Sequence, residues 1–159
     1  MTEAEVKAGL NDRLALALTA WAEARGDKAE GGSSVEERLA VMSVIRNRAA
    51  DTRHRWRKTI TGVCLAPLQF SCWNEGHDRN HLVLMDMAAG ILDGKTITDR
   101  LLIETLYLAD GILGGQIMDA TGGANHYYAP KAMRPVGAVP EWSIGKVGRA
   151  IGDQVFFTL

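Results

Sequence analysis

Residues 11–26 read NDRLALALTAWAEARG, and the rest of the chain is best read outward from them. Leu14, Leu18 and Trp21 recur at helical spacing, and the alanines between them favour helix, so the stretch predicts a helix over 11–24. Gly26 is placed to stop it. Glu23 falls in the last turn, preceded by Leu16, Thr19 and Ala20, all small or apolar. A carboxylate on such a face is poorly solvated, which raises its pKa, and the negative end of the helix dipole pushes the same way. A carboxyl kept protonated near neutral pH is what a general acid requires. By helix position alone, the commoner reading of such a Glu is a solvated residue paired with Arg25 or a distant base.

Downstream, residues 27–34 (DKAEGGSS) are loop by composition. Ser34 with Glu37, or equally Ser33 with Glu36, gives a capping-box pattern. The helix it opens runs to about Ala50 and buries Leu39, Met42, Ile45 and Ala49. Residues 51–63 read as basic and irregular, and 64–77 as a structured loop of aromatic, Cys and Gly residues. Further helices are predicted over about 79–92 and 99–113, the second with Thr98 as N-cap and Gly114-Gly115 as its end. Residues 119–148 are Gly- and Pro-rich, with short extended pieces around His126-Tyr127-Tyr128. The tail Val155–Leu159 is the best strand candidate, after a Gly152-Asp153 turn. Without repeat or linker, residues 1–159 read as a single α+β domain, mostly helical, with a small β element.

The chain has 159 residues, enough for one core without disulfide staples. Its net charge of −1 argues against binding nucleic acid through overall charge, and no specific nucleic-acid partner is expected. That near-neutral total hides a basic segment. Between residues 38 and 58, Arg38, Arg46, Arg48, Arg53, Arg55, Arg57 and Lys58 face one acid, Asp51. A solvated helix end plus loop is the commoner meaning of such a run. The functional one is contact of Arg46–Lys58 with anionic lipid or a wall polymer. No apolar run approaches the roughly 18–20 residues that cross a bilayer. The start, MTEAEVKAGLNDR, lacks the apolar core of a secretory signal. Cys64 and Cys72 are too few for a disulfide scaffold, so folding in a reducing cytoplasm is expected.

Trp21–Gly26, followed by Ala40-Val41 and Val44-Ile45-Arg46-Asn47-Arg48, resembles the opening of the cell wall hydrolases related to the spore cortex-lytic enzyme. Gln69-Phe70-Ser71, Ala120–Tyr128, and Trp142 with Val155-Phe156-Phe157 resemble its later blocks, in the same order. The resemblance implies a lysozyme-like or resuscitation-factor-like domain that cleaves peptidoglycan glycan strands, with Glu23 as catalytic acid; no cofactor or metal is expected. The chain also departs from the pattern. Aligned back from Ala40-Val41, the family's E-G glutamate falls on Glu36, and about six extra residues, Glu30 among them, lengthen the Asp27–Ser34 loop. Gln154 stands where the family often has His, and Asn125 where Thr is commoner.

Glycoside cleavage needs a proton on the leaving oxygen and stabilisation of an oxocarbenium-like state. Glu36 is the possible second carboxylate for a hydrolytic muramidase route, although a capping box accounts for one of Glu36 and Glu37. Without a second carboxylate, Glu23 alone supports lytic transglycosylation at the MurNAc–GlcNAc β-1,4 bond, which is the preferred expectation. Phe70, Trp73, Tyr127 and Tyr128 offer faces for sugar stacking, with Phe70 and one tyrosine also fitting the core. Gln69, Ser71, Asn74 and His126 offer hydrogen bonds, and Gly123 close backbone approach.

Two rival readings remain. Cys64, Cys72, His77 and His81 form a zinc-like set, although the Cys spacing is longer than usual. A glycan-binding module that does not cut is the other. A monomer is expected, made in the cytoplasm without a signal peptide and acting on the cell wall after release during phage lysis.

Overall fold

The computed structural model describes residues 1–24, 34–76 and 78–159. The chain opens with a helix that the sequence reading passed over, α1 (Glu3–Gly9). Thr2 and Glu5 close a reciprocal capping box around its first turn, and Val6 is buried. Next comes α2 (Asp12–Glu23), capped by Asn11, whose Oδ1 accepts from the Leu14 N–H at 2.9 Å. The expected apolar stripe understates this helix. Leu14 is only half-buried, while every residue from Ala15 to Ala22 is buried. A helix apolar all round belongs inside a core, and the small residues let neighbours approach on every side. Burying Leu16, Leu18 and Trp21 stabilises by about 1.5–3 kcal/mol each.

The helices α3 (Val35–Ala49), α4 (Ile60–Leu65), α5 (His81–Leu92) and α6 (Arg100–Leu113) all contact α2. Ser34 caps α3 by accepting from the Glu37 N–H at 3.1 Å, but the return bond of a capping box is not made. The Glu37 carboxylate instead lies against Gly152, where an added Cβ would sit 2.6 Å from Glu37 Oε2. The alternative cap, Ser33, lies outside the described residues. Met42 and Ile45 are buried, and Leu39 and Ala49 half-buried. Buried Arg38 joins α3 to α6 through Glu104 and, at 2.8 Å, the Thr105 hydroxyl.

Two local expectations need correction. The stretch 51–63 is not irregular throughout, because Thr59 caps α4 and Ile60, Val63 and Cys64 bury its apolar side. The N-cap of α6 is Asp99 rather than Thr98. Asp99 Oδ1 accepts from the Leu102 N–H at 2.7 Å and from the Trp21 indole at 3.3 Å, so the same carboxylate ties α6 to α2.

A small antiparallel sheet completes the fold, with β1 (His126–Tyr128), β2 (Arg149–Ile151) and β3 (Gln154–Phe157) in the order β1-β3-β2. Gly152-Asp153 forms the expected turn between β2 and β3, with Gly152 at φ +59. Tyr127 pairs with Phe156 and His126 with Phe157. Since side chains alternate across a strand, Tyr127, Gln154 and Phe156 share one face, and His126, Tyr128 and Phe157 the other. The whole is an α+β fold, mostly helical, organised around α2.

Candidate active site

Glu23 is the last residue of α2, following directly on the buried run Ala15–Ala22. Although the residue as a whole is half-buried, its Oε1 is shut off from solvent and has no hydrogen-bond partner among the described residues. Oε2 accepts from the Tyr127 hydroxyl at 2.8 Å. Burial pushes the Glu23 pKa up from its ordinary value. The Tyr127 hydroxyl and the Cys72 thiol and N–H pull the other way, and the negative charge of Asp78 adds to the push. The Tyr127 phenol is itself driven well above its usual range by burial and by Glu23, so it stays a donor. The site therefore holds an enclosed acid with the Tyr127 hydroxyl fixed against it.

The positioning of Tyr127 begins in α3. Asn47 donates to Asp119 Oδ2 and to the Ala124 carbonyl, both at 2.9 Å, and Arg48 Nε donates to the Asn125 carbonyl at 2.7 Å. Asp119 organises the turn before β1, accepting from the Thr121 N–H and hydroxyl and from the Gly123 N–H. Burial alone would raise the Asp119 pKa, but these bonds outweigh it and hold the group at about 2. Gly123 adopts φ +95, a left-handed conformation that favours glycine. Asn125 fastens the chain end, donating to the Leu159 carbonyl at 2.9 Å and accepting from its N–H at 3.0 Å. Gln154 reaches back from β3, its Nε2 donating to the Glu23 carbonyl at 3.2 Å while its buried Oε1 has no partner among the described residues. The sequence reading gave Asn47 and Asp119 no place in the site, Arg48 one only in the basic run, and Gln154 one only as a departure from the family's His. The Asn-Arg pair and the Thr-Gly-Gly turn were visible as motifs, but their meeting was not.

The expected binding residues fall in different surroundings. Trp73 is 2% exposed, and its indole donates to the Thr19 hydroxyl of α2 at 2.8 Å, so its faces are unavailable to a sugar. Phe70 is likewise core, at 1%. Asn74 spends its amide on the Phe70 carbonyl at 3.0 Å. Gln69 and Ser71 are exposed, and the Ser71 hydroxyl donates to Asp78. His126 and Tyr128 lie on the sheet face opposite Tyr127, in an aromatic cluster with Trp142 and Phe157. Glu36 is exposed on the first turn of α3, whereas its neighbour Glu37 is buried, with its pKa raised by that burial and by Asp153.

The basic run disperses. Arg46 donates to the Ile112 carbonyl, Arg48 is buried and Arg55 pairs with Asp51, which leaves Arg53, Arg57 and Lys58 facing solvent. Of the zinc-like set, His77 lies outside the described residues, as does the Asp27–Ser33 part of the lengthened loop. His81 Nδ1 meets the Cys72 carbonyl at 3.0 Å, and Cys64 is a buried free thiol pushed up to about 12 by burial. Among the described residues, no three His, Cys, Asp or Glu side chains are placed to hold a metal ion.

No curated protein matches the chain. Two solved structures do. The catalytic domain of the Bacillus cereus SleB protein superposes with a TM-score of 0.55 at 21% identity, covering 92% of this chain and 89% of that one. The catalytic domain of the germination-specific lytic transglycosylase SleB from Bacillus anthracis gives 0.54 at 21% identity, covering 92% and 93%. At that identity the likeness is one of fold. The profile of the Cell Wall Hydrolase family matches residues 32–157, beginning after Glu23 and taking in α3, the turn before β1 and the whole sheet. Over that span, most of its length, the chain belongs to the cell wall hydrolase family.

Proposed function

We propose that the chain cleaves peptidoglycan glycan strands at the MurNAc–GlcNAc β-1,4 bond by lytic transglycosylation, with Glu23 as the single acid and base. The observation that carries this reading is the enclosed Glu23 carboxyl with its raised pKa and its bond to Tyr127. In the first step Glu23 gives its proton to the glycosidic oxygen as the bond to the muramoyl anomeric carbon breaks. The muramoyl 6-hydroxyl oxygen then closes on that carbon, and its proton passes to the Glu23 carboxylate. The product carries a 1,6-anhydro ring, and the acid is regenerated. The exposure of Glu36 favours a route without a second carboxylate. The similar Bacillus anthracis domain bears the name of a lytic transglycosylase, which supports the same choice. A muramidase reading draws on Asp78, the carboxylate whose charge adds to the push on Glu23.

The proposal extends to a monomer acting on the wall after release, during phage lysis. Arg53, Arg57 and Lys58 remain available for anionic lipid or wall polymer. Mass analysis of digested peptidoglycan tests the chemistry. Anhydro-muramoyl ends are expected, reducing ends would mean a muramidase, and freed peptides would mean another bond. The variant Glu23→Gln keeps shape and loses the proton, so its activity should fall about 10²–10⁴-fold while glycan binding persists. Full lysis by that variant would refute the assignment.

A further inference from the structure

A cavity of about 290 Å³ lies among the residues joining α3 to α4 and those following α4, lined by His54, Arg55, Trp56, Arg57, Val63 and Gln69. Its cations are not equivalent. Arg55 is already spent on Asp51 and on the Leu159 carbonyl, each at 3.0 Å. Arg57 is exposed and makes no ion pair among the described residues. Behind the wall, Arg48 is 8% exposed, with its guanidinium 5.5 Å from the ring centres of both Trp56 and Phe70. It also has no carboxylate within ion-pair distance among the described residues, and its nearest side-chain acceptor is Gln69 Oε1 at 3.5 Å. A buried guanidinium without a counter-ion leaves a positive field in the wall beside it.

The same Arg48 holds the carbonyl just before β1, and its charge is felt by both Glu23 and Tyr127. Arg48 therefore meets the cavity wall at Trp56 and Gln69 and is within electrostatic reach of the acid. The lining offers a free guanidinium for a planar anion and an amide for a peptide group, while the Trp56 ring is taken by the Arg55 guanidinium, 4.4 Å from its centre.

We propose that this cavity binds a carboxylate of the peptide stem carried by the muramoyl sugar. The proposal rests on the glycan-strand reading above and adds to it a preference for peptide-bearing substrate. On a peptide-bearing strand the muramoyl lactyl carboxyl is tied up as an amide and the N-acetylated sugars are neutral, so the stem carboxylates are the groups there that a cationic cavity can discriminate.

The test is a titration followed by NMR, using N-acetylmuramoyl dipeptide with free carboxylates and the same molecule with its carboxylates amidated. The acid form should bind the wild-type chain about tenfold or more tightly than the amide. That preference should vanish in Arg57→Gln and persist in Lys146→Gln, which removes an equal charge from an exposed loop. Equal binding of acid and amide to the wild type, an unchanged preference in Arg57→Gln, or its equal loss in Lys146→Gln would each overturn the proposal. Because the readout is binding, these results are separate from any failure to find cleaved glycan, which would instead refute the activity.

Discussion

Replacing Tyr127 with Phe tests the acid's environment most directly. The change deletes one oxygen and keeps the ring, which stacks on Phe156 at 5.4 Å between centroids. What is lost is the 2.8 Å bond to Glu23 Oε2. That bond favours the ionised carboxylate, so its removal favours the protonated acid. A hydrogen bond to a charged group contributes about 1.5–3 kcal/mol, and 1.36 kcal/mol corresponds to one pH unit. The alkaline limb of kcat/KM, where the general acid loses its proton, should therefore move up by about 1–2 pH units. The assay is the pH profile of kcat/KM on soluble glycan strands, beside the carboxyl titration of Glu23 followed by NMR. A limb that stays in place, or moves to lower pH, would show that Tyr127 does not hold the ionised acid or that Glu23 is not the titrating group.

The core assignment of Trp73 predicts that Trp73→Phe lowers stability by about 1–3 kcal/mol, from loss of its bond to Thr19, while KM for glycan is unchanged. Thermal melts and steady-state kinetics check the two halves, and a raised KM with unchanged melting would restore Trp73 to the sugar site. Asp119, held at about 2 against an ordinary value of 3.8, contributes stability that is present above the ordinary carboxylate range and lost as pH falls through about 2. Asp119→Asn should be less stable at neutral pH and should flatten that acid loss, as read by melting temperature against pH.

Local patterns predicted most of the helices, the β1 and β3 segments and the position of Glu23, because periodicity, caps and turns are written in neighbouring residues. Misreadings arose where a side chain's partner is distant in sequence. Thr98 and Asp99 are both good caps in isolation, and the Trp21 indole shows which one the fold uses. Trp73 reads as a sugar platform until Thr19 is found beneath it. The alternation rule said that one of Tyr127 and Tyr128 must turn inward, but only pairing with β3 identifies Tyr127. The Arg-rich run looked like one surface because charge along a sequence says nothing of direction. Arg38, Arg46 and Arg48 lie on α3 and turn to α6, to the carbonyl of Ile112 near the end of α6 and to the carbonyl of Asn125 just before β1.

The burial of α2 and the chemistry of Glu23 have one physical cause. A helix with a polar face would leave its final Glu in water, at the ordinary carboxylate pKa. A helix enclosed on all sides carries the carboxyl out of solvent at its end. The enclosure has a thermodynamic cost whose sign is fixed. With the folded pKa above the unfolded one, the native state binds more protons between the two, so stability falls as pH rises across that window. A residue kept only for stability would not be placed so, since Gln at the same position could accept from the Tyr127 hydroxyl without that loss. Glu23→Gln should therefore melt higher than the wild type by a margin that widens with pH across that window and then levels off, even as it loses activity, and that opposition separates an acid held for catalysis from one held for packing.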